Sequence, residues 1–147
     1  SLANHFGFIA KRRTLLLTKP SVGHDIVLLD TIGELGKIYS VGTIIYVGGS
    51  LVPRGGHNIL EPAAHGKPIL VGPHMFNFKD TYALFSSRKA CITVDNAITL
   101  AEKTLYILNN PQVQQSMSRE TLAIIDENRG AAYKSMRYLQ EILDRQI

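Results

Sequence analysis

The residues best suited to chemistry form the run RGGHN at residues 54–58, which lies between two apolar runs of the chain. Glycines let a backbone approach a ligand closely, and the unpaired N–H groups and dipole of a helix start favour an anion such as phosphate. Arg54 stands just before the two glycines and supplies a planar fork of donors for phosphate or carboxylate. The run therefore predicts an anion-binding loop.

Glu61 allows two interpretations. Asn58 and Glu61 have the spacing of a capping box, in which the carboxylate satisfies the backbone at the start of a helix. Alternatively, the carboxylate faces the loop and accepts hydrogen bonds from ribose hydroxyls, as acidic residues do in nucleotide-binding sites. The residue types and spacing leave both interpretations open.

Two apolar runs must hold this loop in place. The runs TIIYV (residues 43–47) and PILV (residues 68–71) are typical of short, buried parallel strands. Pro62 fits only the first turn of a helix, so a helix should begin within residues 58–61 and end near Gly66. Ligands of parallel sheets bind at the carboxyl ends of the strands, which is where the loop falls.

The histidines raise the question of a metal site. His57, Glu61 and His65 recur every four residues. On one helix the two histidines would stand about 12 Å apart along the axis, too far to share an ion. We therefore predict no metal site, and no cofactor.

Composition predicts one globular domain. The chain has 147 residues, of which 45% are hydrophobic, and a net charge of +4. Its single cysteine, Cys91, cannot form an internal disulfide, which suits a reducing cytosol and a buried core thiol. No apolar run approaches the roughly 20 residues of a membrane span, and no signal peptide is visible. The positive charge suits an anionic substrate or membrane surface, but a nucleic acid would suit it equally.

The rest of the chain predicts alternating strands and helices. Lys11, Arg12 and Arg13 precede a predicted strand and are interpreted as a solvated basic cluster outside the site. Leu35, Ile38 and Tyr39 are expected to face inward. The predicted strands are residues 14–17, 26–29 and 91–94, the last at a sheet edge, and a turn-rich linker is predicted at residues 20–23. A short helix is expected to open at residues 33–35 within the segment 31–40, and another helix is predicted at residues 81–86.

Three helices are predicted after residue 98. Thr99 and Glu102 have capping-box spacing, and Asn110 followed by proline is a helix start. The stripe Ala132, Met136, Leu139 and Leu143 gives the last helix an apolar face, which we expect to pack on the core of this domain.

Taken together, the motifs GGS, RGGHN, EPAAHG, GPH and NFKD, in this order within residues 48–80, closely resemble the donor-binding signature of Kdo transferases. The resemblance extends upstream through DTIGEL at residues 30–35. These bacterial enzymes transfer 3-deoxy-D-manno-octulosonic acid (Kdo) from CMP-Kdo to lipid A precursors. The resemblance implies an α/β fold, a Rossmann-like parallel sheet of five or six strands flanked by helices, equivalent to the C-terminal half of a GT-B glycosyltransferase.

The resemblance also implies what this chain lacks. Family members carry an N-terminal domain that binds the acceptor, meets the membrane surface and supplies the general base. We therefore expect residues 1–147 to form a single CMP-Kdo binding domain without a catalytic residue, soluble and inactive by itself. The full-length enzyme would perform inverting transfer at the cytoplasmic face of the inner membrane, with no nucleic acid as partner.

By resemblance, residues 33–35 lie against the cytidine, and Glu61 holds the ribose. The amides of residues 56–58, with Arg54 and Lys79, would stabilise charge on the leaving phosphate. The complete predicted nucleotide site comprises Gly33, Glu34, Leu35, Ser50, Arg54, Gly55, Gly56, His57, Asn58, Ile59, Leu60, Glu61, His74, Asn77 and Lys79.

Two other functions fit parts of the sequence. A GT-B enzyme with a uridine-diphosphate sugar as donor would share the fold and the glycine-rich loop. A nucleic-acid-binding domain would use the basic excess, but it predicts aromatic residues interleaved with Lys and Arg. Within the motif segment, residues 48–80, Phe76 and Phe78 are the only close aromatic cluster.

Overall fold

The computed structural model describes residues 2–18 and 22–144, with the side chains of all of these except residues 131–135, 138 and 144. Its chain divides into two compact units, Ser1–Val41 and Gly42–Ile147. That the whole chain acts as one nucleotide-sugar binding domain stays a prediction.

The second unit is built on a three-stranded parallel sheet. Its strands are β3 (Ile45–Val47), β4 (Ile69–Val71) and β5 (Cys91–Thr93), in the order β3-β4-β5. Val47 pairs with Val71 and Val71 with Thr93, so the three strands end together at their carboxyl edge. The three predicted strands of this unit are confirmed, with β5 at an edge.

The helices of this unit lie between its strands and after the last strand in the sequence. The predicted helix near Pro62 is present but short, and a turn follows it through Gly66. The helices are α4 (Leu60–Ala63), a 3-10 helix (Phe76–Phe78), α5 (Lys79–Ser87), α6 (Ala97–Leu108), α7 (Pro111–Asn128) and α8 (Ala131–Asp144).

The central strand β4 is buried on both faces, as expected for a parallel strand covered by helices. Because successive side chains of a strand point to opposite faces, its residues enter two separate cores. Ile69 and Val71 pack in a cluster with Phe85 and Ile124, whereas Leu70 packs in a second cluster with Ile107 and Met117. Cys91 lies in the first cluster, and its burial raises the pKa of the thiol to about 12.

The first unit holds a two-stranded parallel sheet. Its strands pair from Ala10 with Ile26 to Arg12 with Leu28. The elements are α1 (Leu2–His5), β1 (Ala10–Arg12), α2 (Arg13–Thr18), β2 (Ile26–Leu28) and α3 (Leu35–Val41). The predicted α/β fold with parallel sheets flanked by helices is confirmed, but its five described strands form two sheets and not the single sheet predicted.

The strand predicted at residues 14–17 is wrong, because these residues belong to helix α2. The Asp30 carboxylate accepts hydrogen bonds from the backbone N–H (3.0 Å) and the hydroxyl (2.8 Å) of Thr14, and thereby satisfies one N–H group of the first turn of this helix. Leucine is also a good helix former, so nothing local opposes the helix. The basic residues Lys11 and Arg12 consequently lie on strand β1 and not before a strand.

Two further expectations for packing are wrong. Leu35 and Ile38 of α3 are exposed, and only Tyr39 of the predicted inward set is half-buried. Helix α8 exists, but Met136, Leu139 and Leu143 are about 60% exposed, so its apolar face does not pack on the core. The Ala132 side chain, and residues 20 and 21 of the predicted linker, lie outside the described residues. None of the helices described is long and apolar enough to cross a membrane.

The N-cap of helix α6 lies three residues before the predicted cap, Thr99. Asn96 is the N-cap, and its side chain accepts from the N–H groups of Ile98 (2.9 Å) and Thr99 (3.0 Å). Thr99 closes the capping box by accepting from the Asn96 N–H at 3.1 Å. The predicted helix start at Asn110 and Pro111 is confirmed.

Asn96→Ala should lower the free energy of unfolding by about 1 kcal/mol, because two N–H groups of the first turn lose their acceptor. Denaturant titration monitored by circular dichroism measures this loss. Glu102→Ala is the matched control, since the exposed Glu102 side chain makes no described hydrogen bond and its loss should change stability by less than about 0.5 kcal/mol. Equal losses in the free energy of unfolding for the two variants would contradict a cap at Asn96 and support the predicted cap formed by Thr99 and Glu102.

Candidate functional site

The loops that follow β3 and β4 interlock at the carboxyl edge of the sheet. The His74 N–H donates to the Ser50 carbonyl oxygen at 2.9 Å, and the Gly56 N–H donates to the Gly49 carbonyl oxygen at 3.0 Å. These bonds join GGS, RGGHN and GPH into one backbone assembly. The motifs that were close only in sequence are therefore also close in space.

Ser50 lies at the base of this assembly and is fully buried. Its hydroxyl oxygen accepts from the Gly72 N–H at 2.8 Å, and its hydroxyl donates to the Val47 carbonyl oxygen at 2.5 Å. The hydroxyl therefore ties the end of β3 to the residue after β4. Its observed hydrogen bonds are with these backbone groups and, at 3.5 Å, with the Tyr46 hydroxyl, although the sequence predicted a ligand contact.

The two central glycines have left-handed backbone conformations that other residues rarely adopt, with φ of 89° at Gly55 and 73° at Gly56. Both are also covered by side chains from the next loop. A β-carbon on Gly55 would lie within 2.7 Å of three atoms of the Asn77 amide group, and one on Gly56 within 3.0 Å of Met75. The left-handed backbone is therefore the main reason that the loop needs glycine, and a β-carbon at either position would also displace a neighbouring side chain.

The two histidines of the predicted site lie on this assembly. The His57 ring lies over Gly49, where an added β-carbon would be 3.3 Å from Nε2. His57 is exposed, whereas His74 is half-buried. The predicted contacts of both side chains with a ligand stay predictions.

Glu61 does not form a capping box. Ile59 is the N-cap of α4 and provides no side-chain cap. The Asn58 side chain instead accepts from the Leu60 N–H at 3.0 Å and donates to Glu61 Oε1 at 3.4 Å. The Glu61 carboxylate is therefore exposed and held by a neighbouring amide group, which favours the ligand interpretation over the cap. Ile59 itself is fully buried, and Leu60 is 41% exposed.

The predicted phosphate contacts need a correction. Helix α4 has only four residues, so its dipole is small. The Gly56 N–H is already bonded to Gly49, so only the His57 and Asn58 amides of the predicted three lack a described partner. An anion would consequently be bound by the loop amides and by cationic side chains, and the dipole of α4 would contribute little.

Arg54 and Lys79 supply the positive charge of this region. Both are exposed, and neither belongs to any ion pair found among the described residues. Within residues 2–18 and 22–144, no group of three or more His, Cys, Asp and Glu side chains is arranged to hold a metal ion.

In the first unit, the predicted site residue Glu34 is held at both carboxylate oxygens. Arg13 donates to Oε1 at 3.1 Å, and the Thr31 hydroxyl bonds Oε2. The Thr31 hydrogen bond, and then Arg13, hold the pKa of Glu34 below its usual value. Gly33, with φ of 85°, and Leu35 are both exposed beside it.

Arg13 was left out of the predicted site. It stands 21 residues before Glu34 in the sequence, and no spacing rule connects the two. Only the pairing of charges in the folded unit identifies Arg13 as a second residue, beside Thr31, that orients Glu34.

Thr31→Val should raise the pKa of Glu34, and Arg13→Gln should raise it less, because the Thr31 hydroxyl is the larger cause of the depression. Carboxyl-carbon NMR titration of each variant measures both changes. Asp30 is an internal control, since its lowered pKa comes first from Thr14 and should stay low in both variants. A larger rise in the arginine variant would contradict this assignment.

Comparison with known proteins gives matches over most of the chain. It is 31% identical over 129 residues to a 3-deoxy-D-manno-octulosonic acid transferase of Haemophilus influenzae, covering 87% of this chain and 30% of the relative. It is 33% identical over 137 residues to the enzyme of the same name from Bordetella pertussis, covering 93% of this chain and 32% of the relative. The chain thus spans about a third of these curated relatives.

A solved structure matches the fold as well. The crystal structure of the C-terminal CMP-Kdo binding domain of WaaA from Acinetobacter baumannii superposes with a TM-score of 0.78 at 29% identity, covering 84% of this chain and 64% of that one. No family model matches the chain. The predicted resemblance, and the predicted correspondence to a C-terminal donor domain, are confirmed.

Proposed function

We propose that this chain, whose sequence matches Kdo transferases and whose fold matches a CMP-Kdo binding domain, binds CMP-Kdo for transfer of Kdo to a lipid A precursor. The observation that carries the proposal is the match to a CMP-Kdo binding domain over most of the chain. The interlocked glycine loops at the carboxyl edge of the sheet, where parallel α/β folds bind ligands, support it independently.

The donor phosphate would lie beside the glycine loop. Arg54 and Lys79 are exposed and without an ion pair in the described structure, so both are available to an anion. The unpaired amides of His57 and Asn58 add neutral donors. This positive, donor-rich edge would also stabilise the charge that develops on the phosphate as CMP leaves.

The ribose of the donor would be held by an exposed acidic residue of the second unit. Glu61, with an exposed carboxylate, accepts hydrogen bonds from the ribose hydroxyls. In the first unit, the Glu34 carboxylate already bonds Thr31 and Arg13, so it orders the turn of residues 31–35.

The reaction follows from the donor. An acceptor hydroxyl attacks the anomeric carbon of Kdo, the bond to the phosphate oxygen breaks with inversion, and CMP departs. A base in a separate N-terminal acceptor domain would take the hydroxyl proton. The present chain would therefore bind donor and catalyse nothing alone, and the complete enzyme would act at the cytoplasmic face of the inner membrane.

Calorimetric titration with CMP, UMP and UDP should give the highest affinity for CMP, by at least about fivefold over UMP. Cytosine and uracil present opposite donor and acceptor groups at two ring positions, so a site that pairs with one loses at least one hydrogen bond to the other. EDTA should leave the affinity unchanged. A preference for UDP would instead support a UDP-sugar transferase, and absence of CMP binding would overturn the proposal.

A further inference from the structure

Asn77 forms two hydrogen bonds with the backbone of the glycine loop, residues 54–58. Its side-chain Nδ2 donates to the Arg54 carbonyl oxygen at 3.2 Å, and its backbone N–H donates to the Gly55 carbonyl oxygen at 3.2 Å. One residue of the 3-10 helix that follows β4 thus fixes two successive carbonyl groups of the loop after β3. No other described side chain bonds these two carbonyls.

The packing around Asn77 reinforces these hydrogen bonds. A β-carbon on Gly55 would lie within 2.7 Å of Asn77 Nδ2, Cγ and Oδ1, so the amide group rests directly on the Gly55 backbone. Met75 covers Gly56 in the same way. The glycines therefore serve to admit these two side chains as well as any ligand.

This geometry leads to a role for Asn77 that differs from ligand binding. The side chain of Arg54 is exposed and makes no ion pair in the described structure, so its direction depends on how its own backbone is held. A preorganised cation loses less conformational freedom when it binds an anion. We infer that Asn77 is a positioning residue, which orients Arg54 toward the donor phosphate and does not bind the donor itself. The inference rests on the proposed function.

Hydrogen exchange of the ligand-free protein tests the positioning directly. In Asn77→Ala and in Asn77→Asp, which keeps the shape but lacks the donor, the Gly56 amide should exchange about fivefold faster, as expected for one lost hydrogen bond. Asn109→Ala is the matched control, because this exposed asparagine makes no described side-chain hydrogen bond. Unchanged exchange at Gly56 in both Asn77 variants would overturn the inference.

A double-mutant cycle with CMP then separates positioning from ligand binding. Asn77→Ala should weaken CMP binding about fivefold in the wild-type background and less than twofold in an Arg54→Ala background, because its effect passes through Arg54. Equal losses in both backgrounds would make Asn77 an independent ligand and overturn the inference. If the wild type itself fails to bind CMP, the proposed function fails, and the exchange measurement alone decides whether Asn77 holds the loop.

Discussion

Gly72→Ala should destabilise the protein by about 1–3 kcal/mol and also lower its affinity for CMP. A β-carbon on Gly72 would lie 2.5 Å from the Leu51 backbone nitrogen, and closer still to the Ser50 carbonyl oxygen. Both atoms belong to the backbone, so no side-chain rotation relieves the clash. The two loops would have to separate, which breaks the bond between the Gly72 N–H and the Ser50 hydroxyl.

Gly48→Ala is the matched control at the same edge of the sheet. A β-carbon there would meet only the His57 ring at 3.9 Å, an ordinary contact, so stability should change by less than about 0.5 kcal/mol. Thermal unfolding and calorimetry with CMP measure both properties in both variants. If Gly72→Ala unfolds at the same temperature as Gly48→Ala, the two loops are not joined as described.

The strands of the second unit could be predicted because their signal is local. The runs around Ile45 and Ile69 are short, β-branched and followed by glycine or proline, and burial of β4 on both faces demands such a run. The start of α7 at Pro111 could be predicted for the same reason, because an N-cap followed by proline is recognised from two adjacent residues.

Features that depend on distant residues could not be predicted. Leu15 to Leu17 have the composition of a buried strand, but the carboxylate of Asp30, 16 residues after Thr14, caps them as a helix. In the same way, the apolar stripe of α8 shows that the helix has an apolar face without showing what covers it.

The residues of the candidate site could be predicted from the sequence. Which of them can bind a ligand and which hold the loop could not. Ser50 and Asn77 were both predicted to contact the nucleotide. In the structure they bond loop backbone across 22 and 23 residues of sequence. A motif identifies which residues belong together, whereas only their contacts separate those that can meet a ligand from those that hold the loop.

Glu61→Gln should weaken CMP binding by about 1–3 kcal/mol while the melting temperature stays nearly unchanged. The carboxylate is a stronger acceptor for ribose hydroxyls than an amide oxygen is, because hydrogen bonds to a charged group are the stronger ones. The fold should tolerate the exchange, since the amide oxygen of glutamine can still accept from Asn58 Nδ2. Calorimetric titration with CMP and a thermal melt of each variant measure the two effects.

Glu61→Ala separates the ligand role from a structural one. If Glu61 stabilised the start of α4, its removal would lower stability by about 1 kcal/mol. The described structure gives the Glu61 carboxylate no backbone N–H donor, only the amide group of Asn58 at 3.4 Å, so we expect a stability change of less than about 0.5 kcal/mol. The affinity for CMP should fall at least as far as in the glutamine variant, because alanine removes the acceptor entirely. Wild-type affinity in the glutamine variant, together with a destabilised alanine variant, would instead make Glu61 part of the scaffold that supports Asn58.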